Sequence, residues 1–117
     1  MKMRSDTTPN SRAWALAIAL VPGVLGQRDS LWDEGAREII FGLLLHAQKA
    51  RTRMTNQQVA QGAAKLLAGD YYQILAIVSQ EAPAGAVFLA GGPDSKAAAS
   101  FLASVGAALS PRAIAAL

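Results

Sequence analysis

The densest charge in the chain is the set Lys49, Arg51 and Arg53, with His46 close by. Cations gathered in this way can grip phosphate oxygens or dock an acidic partner. They can also simply complement the negative end of a helix, each adding ~0.3–1 kcal/mol. Just beyond them Gln57, Gln61 and Lys65 recur at every fourth position, which on a helix makes one polar stripe beside the basic cluster. The carboxylates offer less. Asp33 and Glu34 suit the positive end of a helix, and Glu34 and Glu38 fall one turn apart on a solvated face, so no acid–base pair is expected. His46, the single histidine, has no acidic neighbour in the sequence and reads as a surface or interface residue.

Gly91-Gly92-Pro93-Asp94-Ser95-Lys96 has the outline of a phosphate-binding loop in the wrong order. Such a loop needs glycine directly before the lysine and a hydroxyl directly after it, so that backbone N–H groups wrap the phosphates and the hydroxyl reaches magnesium. Here Ser95 precedes Lys96, Ala97 follows it, and Asp94 would repel an anion. The segment reads as a turn into a capped helix. With no cysteine, thiol catalysis, disulfides and thiolate metal sites are excluded, and one histidine leaves no two-histidine scheme. No metal, no cofactor and no enzymatic activity are expected.

The elements that must position these residues are helical. A helix from about Arg12 is stopped by Pro22-Gly23, and Gly23 to Asp29 reads as a turn. The strongest helix runs from about Leu31 to Arg51 behind an N-cap at Ser30, with Trp32, Ala36, Ile39, Ile40, Leu43, Leu44 and Ala47 on one buried face. Thr55 and Gln58 form a capping-box pattern, and the helix they open should bury Val59, Ala63, Leu66 and Leu67 before ending at Gly69. Asp70 caps a further helix that is apolar nearly all round (Tyr71, Ile74, Leu75, Ile77, Val78) and therefore expected at the centre. A short helix is expected after Pro83, with a strand at Ala86–Leu89 as its rival. From Ser95 a long helix buries Ala98, Phe101, Leu102, Val105 and Leu109, and Ser110-Pro111 starts another. Together these describe an all-α bundle of five to six helices over residues 12–117, preceded by a polar leader or linker at 1–11.

Composition agrees. The chain has 117 residues, 52% of them apolar and 16% charged, enough apolar material for one folded domain and too little charge for disorder. Alanine accounts for 25 residues and aromatics for only seven (2 Trp, 2 Tyr, 3 Phe), so helices can approach one another closely. The net charge of +3 is compatible with a nucleic-acid neighbour without requiring one. The apolar stretch Ala13–Gly26, broken by Pro22-Gly23, is short for a membrane span, which needs ~20 residues. Behind Lys2, Arg4 and Arg12 it has the outline of a secretory signal.

Two segments resemble a known family. Leu31-Trp32-Asp33-Glu34-Gly35-Ala36-Arg37-Glu38-Ile39-Ile40-Phe41-Gly42-Leu43-Leu44-Leu45 is similar to the "Trp, three residues, Ala-Arg, aliphatic helix" segment of the type IV coupling proteins of conjugation and secretion, the TraD/TraG family. Val87-Phe88-Leu89 followed by Ser95-Lys96-Ala97-Ala98-Ala99-Ser100-Phe101-Leu102 resembles that family's "Ser-Lys-Thr, two residues, Ser, aliphatic" helix, with Ala97 where the family often has Thr. In the family both lie in an all-α domain inserted into a RecA-like motor, at the cytoplasmic end of a hexameric ATPase of the inner membrane.

The resemblance implies a substrate-recognition domain that contacts transferred DNA, relaxase, relaxosome accessory or effector proteins. Under it Trp32, Ala36 and Arg37 organise the long helix, and Phe101, Lys96 and Ser100 lie on the last long one. Lys49, Arg51 and Arg53 are the first candidates for phosphate or acidic-partner contact, with Gln57, Gln61 and Lys65 as the neighbouring polar face. Two other readings stand beside it. One is a small secreted or periplasmic helical protein with an N-terminal signal. The other is a helix-turn-helix regulator built from Thr55–Glu81, whose second helix carries no Arg or Lys for a DNA groove.

Overall fold

The longest helix organises everything else. In a computed structural model, which describes residues 9–21, 30–50 and 53–117, it runs from Ser30 to Ala50 (α2) and packs against five other elements. These are α1 (Pro9–Leu20), α3 (Asn56–Leu67), α4 (Tyr71–Glu81), the single turn α5 (Pro83–Ala86) and α6 (Lys96–Ala108). A 3₁₀ turn at Val87–Leu89 joins α5 to the loop before α6, and α7 (Pro111–Ala115) closes the chain against α3 and α6. No strand occurs among the described residues, and the expected all-α bundle is what forms. Pro22–Asp29, Arg51 and the side chains of Ser30, Leu31 and Trp32 lie outside the described residues.

The core is α2's own pattern carried into its neighbours. Ala36, Ile39, Ile40, Leu43, Leu44 and Ala47 are buried as their spacing requires, and Leu45 joins them because α2 is covered on more than one side. Val59, Val78, Leu89 and Val105 complete the set of fully enclosed large side chains. Few of these residues are bulky, so the helices must come close, and glycine supplies the notches. A Cβ on Gly42 would stand 3.2 Å from Ala82 Cβ, where α4 crosses α2, and one on Gly62 would stand 3.1 Å from Ala47 Cβ, where α3 crosses it. At Gly35 the missing side chain makes room for the Phe101 ring, which stacks edge-on with Phe88 at 4.7 Å.

Four helices begin at the caps that the sequence offers. Thr55 Oγ1 accepts from Gln58 N (3.1 Å) while Gln58 Oε1 accepts from Thr55 N (2.9 Å), a complete capping box. Asp70, Ser95 and Ser110 cap α4, α6 and α7 through Gln73 N, Ala98 N and Ala113 N.

Several details depart from the sequence reading. α1 begins at Pro9, inside the segment read as leader, because proline is tolerated in a first helical turn where its N–H would go unused anyway. α4 is not central: Tyr72, Gln73, Ala76, Ser79 and Gln80 are exposed, and only Ile74, Ile77 and Val78 are buried against the rest. Leu66, Leu67 and Leu102 are half-buried, since α3 and α6 lie at the outside of the bundle. The rival strand at Ala86–Leu89 is a 3₁₀ turn with Val87 72% exposed and Leu89 buried. Lys96–Ala115 is long and apolar enough to cross a membrane by length and composition alone. Here it is broken into α6 and α7 by the Ser110 cap, and Ala98, Phe101, Val105, Leu109 and Ile114 lie in the core.

Candidate functional site

The two described members of the basic cluster, Lys49 and Arg53, have different surroundings. Lys49, in the last turn of α2, donates from Nζ to Glu81 Oε1 at 2.7 Å, and His46 Nδ1 lies 3.3 Å from Glu81 Oε2. Glu81 ends α4, and its side chain is only 3% exposed. Burial pushes this carboxyl up, but the hydrogen bonds and charges of Lys49 and His46 outweigh it and hold it below its usual range. The arrangement ties the C-terminal ends of α2 and α4 together, and much of Lys49's charge is compensated inside the molecule. His46 therefore has the acidic neighbour that its sequence surroundings lack, contributed by a residue 35 positions away.

Arg53 is exposed in the short segment leading into α3. It lines a cleft of about 440 Å³ together with Arg12, Met54, Thr55 and Gln58. Arg12 reaches across from α1, donating from Nη2 to the Met54 carbonyl and from Nε to Asn56 Oδ1 at 3.2 Å. These contacts fix the α1 end of the cleft, and Arg53 has no ion pair among the described residues. Arg51, the third member of the cluster, lies outside the described residues.

Gln57, Gln61 and Lys65 form an exposed ridge along α3, as their spacing predicts. The ridge separates two grooves. One, of about 690 Å³, lies toward α7 and has Ala64, Ala68, Leu109 and Ile114 as its apolar floor. Gln57, Gln61 and Lys65 form its rim, with Gln57 Nε2 donating to the Ala115 carbonyl at 3.5 Å. The other, of about 520 Å³, lies toward the end of α2, where His46, Met54 and Gln58 meet Gln61 and Lys65. Leu109, Pro111, Ile114 and Ala115 of the first groove come from the end of α6 and from α7, which sequence periodicity gives no reason to bring beside α3.

The residues expected to organise the fold have specific contacts. Ala36 is buried, and Arg37 Nε donates to the Val21 carbonyl at 2.8 Å, pinning the end of α1 to α2. Phe101 fills the Gly35 notch. Lys96 and Ser100 are exposed at the start of α6. The glycine-rich turn before them is occupied with its own structure: Gly92 takes φ +92°, and its N–H donates to Tyr71 Oη at 3.2 Å. Glu38 is not on an open face. The α5 turn rests on its backbone at Gly85, and burial, aided by Glu34 and opposed by Arg37, raises its carboxyl above the ordinary value. Among the described residues no three His, Asp or Glu side chains group closely enough to hold a metal ion.

No known family model, characterised protein or solved structure matches this chain.

Proposed function

We propose that this chain is a non-catalytic substrate-recognition domain of the coupling-protein type, contacting transferred DNA or the relaxase, accessory and effector proteins that accompany it. Its contact edge runs from Arg53 along the Gln57–Gln61–Lys65 ridge. The observation that carries this reading is the distribution of charge. Between Glu38 and Asp70 the sequence holds four cations (Lys49, Arg51, Arg53, Lys65) and no carboxylate. Arg53 and Lys65 are exposed, with no ion pair among the described residues. A surface of one sign attracts polyanions and acidic partners over several ångströms. The all-α fold and the Leu31–Leu45 segment support the same reading, in which the domain works at the cytoplasmic face of the inner membrane as part of a hexameric motor.

The test is binding of the chain to single- and double-stranded DNA across a salt series, repeated with Arg51, Arg53 and Lys65 changed to Ala. Affinity should fall linearly with salt on logarithmic axes. Each cation that neutralises a phosphate should, when removed, lower the slope by about 0.9 on duplex or about 0.7 on single strands. If the parent chain shows no salt-dependent binding, the DNA part of the reading fails and a protein partner remains.

A further inference from the structure

We propose that the groove between α3 and α7 docks an acidic peptide segment of a partner protein, one that carries large aliphatic or phenylalanine side chains a helical turn apart. This rests on the reading of the domain as a recognition module and specifies the chemistry of its partner.

The shape comes from small residues where larger ones would fill the space. Ala64 and Ala68 lie one turn apart on the outer side of α3, and Leu109 and Ile114 face them from the end of α6 and from α7. The resulting volume, about 690 Å³, is of the size that takes a few side chains. Its floor is apolar, so a leucine or phenylalanine seated there is removed from water. The rim adds amide groups at Gln57 and Gln61, able to bond a peptide backbone.

Charge selects the sign of the occupant. Lys65 is the one titratable group among the lining residues, and it also stands over the second groove beside His46. Arg112 is exposed on α7 next to the lining residue Pro111. No carboxylate side chain lines the groove, and the nearest along the chain, Asp70, accepts from Gln73 N as the cap of α4. Nucleic acid suits this groove poorly. No aromatic side chain lines it for a base to stack on, and one lysine tracks no phosphate backbone. An amphipathic segment laid into a groove, apolar anchors down and acids toward the rim, uses every feature present.

The experiment pans a phage-displayed library of random short peptides against the whole chain and discards clones that also bind the Ala68→Phe variant. Ala68 and Lys65 are both exposed, so neither substitution disturbs the core, and thermal melts followed by circular dichroism check this. Enriched clones should pair Asp or Glu with Leu, Ile, Met or Phe one helical turn apart. The best clone, made as a synthetic peptide, should bind about tenfold more weakly to Lys65→Glu and equally well to Lys96→Glu at the far end of α6. Four results would overturn the proposal: no enrichment, enrichment of basic sequences, indifference to Lys65→Glu, or concentration-dependent self-association of the chain that Ala68→Phe abolishes. DNA binding by the same proteins separates the two readings. Peptide capture without DNA binding keeps this proposal and removes the DNA reading. DNA binding without peptide capture does the reverse.

Discussion

Glu81 shows how one side chain changes the meaning of two others. Lys49 and His46 look like members of a basic cluster until the Glu81 carboxylate from α4 is placed between them. The pairing spans more than thirty residues, and no local pattern announces it. It sets a pH dependence whose sign follows from the direction of the shift. A carboxyl held below its unfolded value near 4.5 contributes stability that is complete above that value and lost as pH falls through the lower, folded one. Glu38, raised by burial, works the other way, and stability is gained as pH falls through its raised value. Glu81→Gln should therefore lower stability at neutral pH and flatten the acid limb of the stability curve. Urea midpoints measured from about pH 7 down to about pH 3 would show this. Curves that stay parallel to the parent at every pH would contradict it. Lys49→Met removes one donor to the same carboxylate and, because Lys49 itself is more than half exposed, should cost about 0.5–1 kcal/mol in the same assay.

At the scale of elements, what the sequence makes legible is what local chemistry decides. The caps at Thr55, Asp70, Ser95 and Ser110 each act within four residues, and each forms as expected. The face of α2 is legible for the same reason, since its period is a property of one helix. Placement of helices against one another is not. The apolar surround of α4 suggested a central helix, but Tyr72 is 65% exposed because α2 and α5 cover only one of its sides. The groove beside α3 stayed invisible because its far wall, Leu109 and Ile114, arrives from more than forty residues away. Glycines make a sharp test of the packing. A Cβ on Gly85 would meet the Glu38 carbonyl carbon at 3.0 Å and Ile39 N at 3.1 Å, backbone atoms that cannot step aside. Gly85→Ala should destabilise by about 1–3 kcal/mol. Gly106, within α6, has only Leu67 Cδ2 within reach at 3.8 Å. Gly106→Ala should stabilise by about 0.4–1 kcal/mol, because alanine is the better helix former and narrows the unfolded ensemble. Thermal or chemical denaturation of the pair would reveal opposite signs, and equal effects would mean that the helices are not so closely packed.

At the scale of the whole molecule, the chain packs to a radius of gyration of 13.5 Å, close to the roughly 13 Å expected for a folded domain of this length. α1 belongs to that body. Ala13, Leu16 and Ala17 are buried, Trp14 stacks edge-on against Phe41 at 5.3 Å, and Arg12 holds the segment before α3. A chain lacking residues 1–21 should lose its cooperative unfolding transition and bind a hydrophobic dye, since the Phe41 side of α2 would face water. Full cooperativity in the shortened chain would mean that α1 is an accessory. Along α2 the charges divide: Asp33, Glu34 and Glu38, with Arg37 among them, lie in its first half, whereas Lys49 lies in its last turn and Arg53 and Lys65 follow before and along α3. The contact with a polyanion proposed above would use the second of these regions, and within it the cations that no carboxylate compensates.

The most direct measurement of that claim compares single substitutions in one salt series on duplex DNA. Arg53→Ala should lower the slope of log affinity against log salt by about 0.9, whereas Lys49→Ala, whose charge is already compensated by Glu81, should leave the slope within about 0.2 of the parent. Equal reductions from both, or none from Arg53→Ala, would contradict the assignment.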